Sequence, residues 1–367
     1  MMIHAFSRRR FSRARRALTH ASTSRLALTS LALSVTLGLA APITAEPAAI
    51  VGGQWLEAQR LDEGWALHTS ELGTLAPVAS QLLPFATDHQ VYVHRLMATE
   101  SGWLITATSR SENESRLVVL SSHADGIKEL PSPLTTGRTL LQPTPILDGD
   151  EPAAVLWIEG PSPRESKVLA SRWSGAGWAA PELISPQGPG TQIALDAVRL
   201  ADGSLLAVWA AFDGDDDEIV WSRSTAVGEW SKPQPITANS VPDVTPALIA
   251  TEKGAIVAWS AYDGNDYRIF TSSFDGESWT DAHRHGERGS VFPSFAPTGD
   301  RLLVYKQTAP AAWRASRLSA DGSLDRTLSL EASVERPVIV ASDSEGVTLR
   351  SADAEKRAVK VSWTESR

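Results

Sequence analysis

Residues 244–285 read VTPALIATEKGAIVAWSAYDGNDYRIFTSSFDGESWTDAHRH, and they hold one complete folding unit. The run 245–250 (TPALIA) is apolar and short, the mark of a first strand. Residues 255–260 (AIVAWS) follow Gly254 as a second, more apolar strand, expected to lie innermost. Residues 268–273 (RIFTSS) alternate in polarity, as a half-buried third strand does. Asp275 and Gly276 supply a tight hairpin turn, because glycine reaches positive φ without a Cβ clash. Trp279 then opens a fourth strand, with His283 and His285 expected exposed at its end.

The unit recurs. GAIVAW at 254–259 is preceded by GSLLAVW at 203–209 and EPAAVLW at 151–157, with a weaker copy, GWLITAT, at 102–108 and a later one, GDRLLVY, at 299–305. Their last positions step by about 50 residues, a period that means stacked supersecondary units. Four short strands per unit predict an all-β fold, a β-propeller of four-stranded blades. The C-terminal stretch offers three strands (337–342, 347–352, 358–364). A fourth is expected from the N-terminal side, where GQWLEAQRL at 53–61 matches the GEW at 228–230. The sequence thus predicts six blades: 91–140, 141–190, 191–240, 241–290, 291–334, and a last one in which 335–367 is closed by the N-terminal strand 50–61. Residues 62–90 stand outside the period and read as an insertion carrying Trp65, His68 and His89.

Composition agrees with a large exported domain. The 367 residues include 13 Trp but no Cys, which excludes disulfides, thiolate metal sites and a cysteine nucleophile. Trp55, Trp178, Trp230 and Trp279 open outer strands, and Trp157, Trp209 and Trp259 end inner ones. Such recurrence is the signature of inter-blade packing. Seven of the 34 basic residues, and none of the 43 acidic ones, fall in 1–45. The remainder has 27 basic against 43 acidic residues, a net charge of −16, which repels nucleic acid and suits anionic lipid poorly. Residues 1–45 have a basic start, an apolar run at 26–41 and small residues at 44–45. This is the layout of a cleaved signal peptide, and SRRRFS at 7–12 resembles a twin-arginine export motif. The mature chain, 46–367, is expected to be one propeller domain in the periplasm or outside the cell, with no membrane span after cleavage.

The turn SFDGESW at 273–279 resembles, one residue short, the S-x-D-x-G-x-x-W turn of the sialidase-like (BNR or Asp-box repeat) six-bladed propellers. SHADG at 122–126 and SADG at 319–322 are partial copies. The resemblance implies an exo-sialidase chemistry: three arginines on a carboxylate, an Asp acid/base and a Tyr nucleophile. Carried over, it marks Arg95 and Arg110 as arginines and Glu112 or Glu114 in the acid's place. The family's Arg-Ile-Pro is missing at 95–97, and no Tyr follows Tyr305, so the nucleophile is unsupplied. Binding without catalysis is therefore the leading expectation. A divergent glycoside hydrolase and a scaffold subunit of an envelope complex are the alternatives.

A glycan or protein ligand is expected on the face formed by second-to-third-strand turns and blade connectors. There Phe212, Asp213 and Asp215 face Tyr262, Asp263 and Asp266 from the next blade, and Trp65 stands in the out-of-period segment. Aromatic rings beside carboxylates suit sugars. No cofactor is expected. Ca²⁺ is the one metal these hard oxygen donors would suit, with Asp213, Asp215 and Asp217 as candidate ligands.

Overall fold

The computed structural model describes residues 47–363 except 73, 113, 124, 137–138, 186–189, 226–227, 331–336 and 351–357. The signal segment expected at 1–45 lies outside the described residues. Among the described residues no helix is long and apolar enough to cross a membrane.

The fold is an all-β propeller of four-stranded blades, but it has seven blades and not six. Blade 1 comprises Ala48–Val51, Gln54–Leu61, Gly64–Glu71 and Pro77–Leu82. Blade 2 is Gln90–Ala98, Trp103–Arg110, Ser115–His123 and Gly126–Glu129. Blade 3 is Thr139–Asp148, Glu151–Ser162, Glu165–Arg172 and Glu182–Leu183. Blade 4 is Gln192–Arg199, Leu205–Phe212, Asp217–Ser224 and Gln234–Pro235. Blade 5 is Asp243–Thr251, Gly254–Tyr262, Tyr267–Phe274 and His283–His285. Blade 6 is Ser290–Phe295, Leu302–Thr308, Ala311–Leu318 and Leu324–Leu330. Blade 7 has three strands among the described residues, Val338–Ser342, Gly346–Arg350 and Ala358–Ser362.

The miscount has a local cause. Gly52 and Gly53, at φ +55° and +76°, make a two-residue hairpin turn that sets Val51 opposite Gln54. Gln54–Leu61 is thereby the second strand of its own blade, paired with Ala48–Val51 on one side and Gly64–Glu71 on the other. It does not close the last blade. Residues 62–90 are not an insertion: they hold the third and fourth strands of blade 1.

The ring closes instead by side-chain packing. Trp55 and Leu75 of blade 1 bury against Val340 of blade 7, with Ala48 and Ile50 alongside. Arg350 of blade 7 pairs with Glu57 of blade 1, which is 3% exposed. Trp55, expected on an outer strand, is part of this seam.

First strands, not second ones, line the axis and touch their counterparts in the next blade. In blades 3 to 6 each carries a bulge and a non-glycine residue at positive φ: Gln142, Ala194, Thr245 and Phe292. A bulge bends the strand and re-aims its side chains. Gln142 Oε1, for example, accepts the Leu195 N–H of the neighbouring blade at 3.0 Å.

The second strands form the core. Trp157, Trp209 and Trp259 are fully buried there, each with its indole N–H spent on a buried acceptor: Glu159 at 2.9 Å, Gln192 at 2.6 Å and Asp243 at 2.9 Å. Trp178, Trp230 and Trp279 stand just ahead of the short fourth strands and bridge back to the third. The packing role expected of these six rings is what the fold shows.

Third-strand arginines clasp the next blade. Arg172 reaches Ser224 Oγ and the Gly228 carbonyl, Arg223 reaches the Gly276 carbonyl, and Arg317 reaches Ser342 Oγ and the Asp343 carbonyl. In blade 5 Ser273 takes that place, and Thr271 and His285 bind the Gly322 carbonyl instead. His285, expected exposed, is buried; His283 is the exposed one.

Burial lowers the His285 imidazole to about 4, so the fold favours its neutral form. The unfolded chain takes up the proton near pH 6.5. This contribution is therefore whole above pH 6.5 and is lost as pH falls toward 4. The loss between about pH 7 and pH 5 is expected to be about 1–2 kcal/mol. Asp216 and Asp243 are raised to about 6 and act with the opposite sign, gaining stability as pH falls through 6. The readout is therefore the difference between wild type and His285→Gln in thermal melts across pH. Parallel curves would show that His285 does not titrate on unfolding.

Candidate functional site

The turns of blades 4 and 5 on the connector face are built alike. In blade 4, Asp213 Oδ1 accepts the N–H groups of Asp215 at 2.8 Å and Asp216 at 3.3 Å. In blade 5, Asp263 Oδ1 accepts those of Asn265 and Asp266, both at 3.0 Å. A glycine at positive φ follows each aspartate, Gly214 and Gly264. These are Asx turns, in which a short carboxylate replaces a backbone acceptor.

The two differ in charge. In blade 5, Arg268 donates Nε–H to Asp263 Oδ2 at 2.7 Å, and this bond foremost holds the Asp263 carboxyl down to about 2. In blade 4 the residue at that place is Glu218. Asp213, Asp216 and Glu218 each offer a carboxylate oxygen, and these oxygens lie within 4.8 Å of one another. Asp216 and Glu218 are 8% and 4% exposed. Both Asp216 oxygens and Glu218 Oε2 have no hydrogen-bond partner. Burial, then the neighbouring Glu218 and Asp213 charges, pushes Asp216 up to about 6. Glu218 Oε1 accepts the Asn239 N–H at 2.6 Å, and Asn239 Nδ2 donates to Asp243 Oδ2 at 2.6 Å. The acidic array therefore runs from blade 4 into blade 5.

Aromatic groups flank it. Phe212 is 43% exposed, and the Tyr262 and Tyr267 rings lie 5.4 Å apart. The expected binding residues Phe212, Asp213, Asp215, Tyr262, Asp263 and Asp266 thus fall on two adjacent turns of one face. Of the expected metal ligands Asp213, Asp215 and Asp217, only Asp213 joins the carboxylate group; Asp216 and Glu218 complete it. The cause is parity at the start of a strand: residues 216 and 218 share the inward face.

The remaining candidates lie elsewhere. Trp65 is half-buried in the third strand of blade 1 and donates its indole N–H to the Val91 carbonyl at 3.0 Å, joining blades 1 and 2. His68 is likewise half-buried, opposite Glu57, and lines a 380 Å³ cavity at the seam between blades 7 and 1. Arg95 pairs with Asp196 of blade 4 at 3.0 Å, and Asp196 also accepts the Leu248 N–H of blade 5 at 2.8 Å. Arg95 lies opposite Thr106, whereas Arg110 lies opposite Gln90. The two are four rungs apart, roughly 13 Å. Arg110, Glu112 and Glu114 stay together at one exposed turn, and Arg95 does not join them.

Sequence reading missed a cavity of about 800 Å³ on the opposite face, with Arg199, Arg301, Arg317, Asp300 and Glu252 among its lining residues. Arg199 pairs with Asp148 and Arg317 with Asp300. Arg301 makes no ion pair among the described residues; its Nε–H binds the Leu318 carbonyl at 3.1 Å. Arg199 ends the first strand of blade 4, while Arg301 precedes the second strand of blade 6 and Arg317 lies near the end of its third, so no contiguous motif announces them.

No protein-family model matches the chain, and no curated protein matches it in sequence. Solved structures are similar in fold. A prolyl endopeptidase matches at TM-score 0.53 and 14% identity over 83% of this chain, which spans 45% of that enzyme's length. The polysaccharide lyase Uly1 matches at TM-score 0.50 and 10% identity, over 87% of this chain and 89% of that one. A PL25 ulvan lyase bound to a GlcA(1-4)Rha3S saccharide matches at TM-score 0.50 and 10% identity, over 87% and 92%. At these identities the likeness is one of fold.

Proposed function

We propose that this chain is an exported, non-catalytic binding propeller that holds a glycan on the connector face at blades 4 and 5. The observation that carries this reading is the exposed Phe212 ring at the carboxylate-rich turn of blade 4, with the Tyr262–Tyr267 pair at the equivalent turn of the adjacent blade 5. An aromatic ring offers an apolar platform to the C–H face of a sugar, and carboxylates accept its hydroxyl protons. The separation of Arg95 from Arg110, and the engagement of Arg95 by Asp196, support binding over sialidase-type hydrolysis. The basic and apolar character of 1–45 supports export to the periplasm or beyond.

A glycan array on the 46–367 protein tests the reading. Phe212→Ala and Tyr262→Ala are each expected to weaken the leading signal at least about 10-fold, the loss of one well-placed ring. Unchanged signals in both would reject this face. A second reading rests on the 800 Å³ cavity, whose arginines would suit an acidic saccharide. It expects acidic glycans to lead the array and Arg301→Ala, rather than Phe212→Ala, to abolish them.

A further inference from the structure

We propose that Asp213, Asp216 and Glu218 form a binding site for Ca²⁺ at the second-to-third-strand turn of blade 4. The inference stands on the turn itself and holds whether or not the face binds a glycan.

Residues 213–218 carry five carboxylates, and among the described residues none of them pairs with a Lys or Arg. Such a density alone is ordinary for a solvated loop. Burial makes this one different. Asp216 is more than nine-tenths buried with both oxygens unpartnered, and Glu218 is buried with Oε2 unpartnered. A carboxylate that has lost its water and found no donor is costly to keep, and native structures seldom tolerate one. The three groups converge: their donor oxygens lie within 4.8 Å of one another. Oxygens on opposite sides of a Ca²⁺ ion, each at about 2.3–2.6 Å, are about 5 Å apart, so the group fits inside one Ca²⁺ shell. Asp213 is exposed, which leaves a route in from solvent and room for water to complete the coordination. Its Oδ1 is fixed by two backbone N–H groups, and Glu218 Oε1 by one.

Blade 5 is an internal control. The same turn, with the same Asx bonds, contains a resident cation: the Arg268 guanidinium on Asp263 Oδ2. Blade 4 replaces that arginine with Glu218. The substitution removes the built-in positive charge and adds a carboxylate, and an external cation restores the balance. Oxygen-only ligation and an irregular turn suit Ca²⁺ better than a transition metal.

Calorimetric titration of the metal-stripped 46–367 protein with CaCl₂ tests the site. One equivalent is expected to bind, and roughly 1 mM Ca²⁺ should raise the melting temperature by about 4 °C over EDTA. Glu218→Gln and Asp216→Asn should each weaken binding at least about 10-fold and remove the shift. Glu218→Arg should recreate the blade 5 arrangement, melting in EDTA no lower than the wild type and ignoring Ca²⁺. A wild type that neither binds Ca²⁺ nor responds in its melt overturns the proposal. So does a response that survives in both Glu218→Gln and Asp216→Asn, since the ion would then sit elsewhere.

Discussion

Trp209→Ala is expected to destabilise the protein by about 3–5 kcal/mol, measured by denaturant unfolding, because it empties the largest site in a buried core. Trp209 is fully buried at the interface of blades 3 and 4, among Leu156, Ile158, Ala197 and Ala207. Two costs combine. The cavity cannot collapse, because the surrounding strands are locked in their ladders. Gln192 Oε1, itself buried, also loses the indole N–H that satisfies it at 2.6 Å. Trp209→Phe separates the two: it keeps most of the volume and should cost about 1–2 kcal/mol for the orphaned acceptor. Adding Gln192→Leu to Trp209→Phe should recover part of that smaller loss. A Trp209→Ala cost below about 1 kcal/mol would mean that the ring does not join the blades as described.

Arg350→Ala is expected to cost about 3–5 kcal/mol, because it strands a buried Glu57 carboxylate at the seam between blades 7 and 1. Glu57 is 3% exposed, and its other donor is the Gln59 amide at 3.0 Å. Among the described residues no strand is shared across this junction, and side chains hold the two ends of the ring together. Glu57→Met with Arg350→Met removes both charges and should recover most of the stability, since a buried ion pair contributes little beyond what apolar packing does. Thermal melts of the single and double variants give the comparison. A neutral Arg350→Ala would argue that blade 7 is not docked on blade 1.

Both predictions rest on features that the sequence displayed unequally. The Trp209 position was legible, because GSLLAVW and GAIVAW repeat at a fixed interval and a ring that recurs once per blade has to pack. The seam was not. GQW at 53–55 resembles the GEW that precedes a fourth strand, while the stronger signal was the Gly52-Gly53 pair between two apolar runs, a hairpin turn. One misassigned turn moved Gln54–Leu61 from second strand to fourth and hid a whole blade.

At the blade 4 turn, composition singled out Asp213, Asp215 and Asp217, whereas the carboxylates that converge are Asp213, Asp216 and Glu218. Asp213, Asp215 and Asp217 are evenly spaced in sequence, but Asp215 is exposed and Asp217 half-buried, whereas Asp216 and Glu218 face inward together. Only the place where the loop becomes a strand decides this. The partner of Arg95 is 101 residues away across the axis, and no local pattern could supply it. The arginine-lined cavity is likewise assembled from several blades.

The most direct test of binding without turnover is to capture the best array glycan on immobilised 46–367 protein and recover it for mass spectrometry. The expected result is an intact glycan, retained by the wild type and lost from Phe212→Ala. A cleaved or unsaturated product, or full retention by Phe212→Ala, would contradict a non-catalytic site on the connector face of blades 4 and 5.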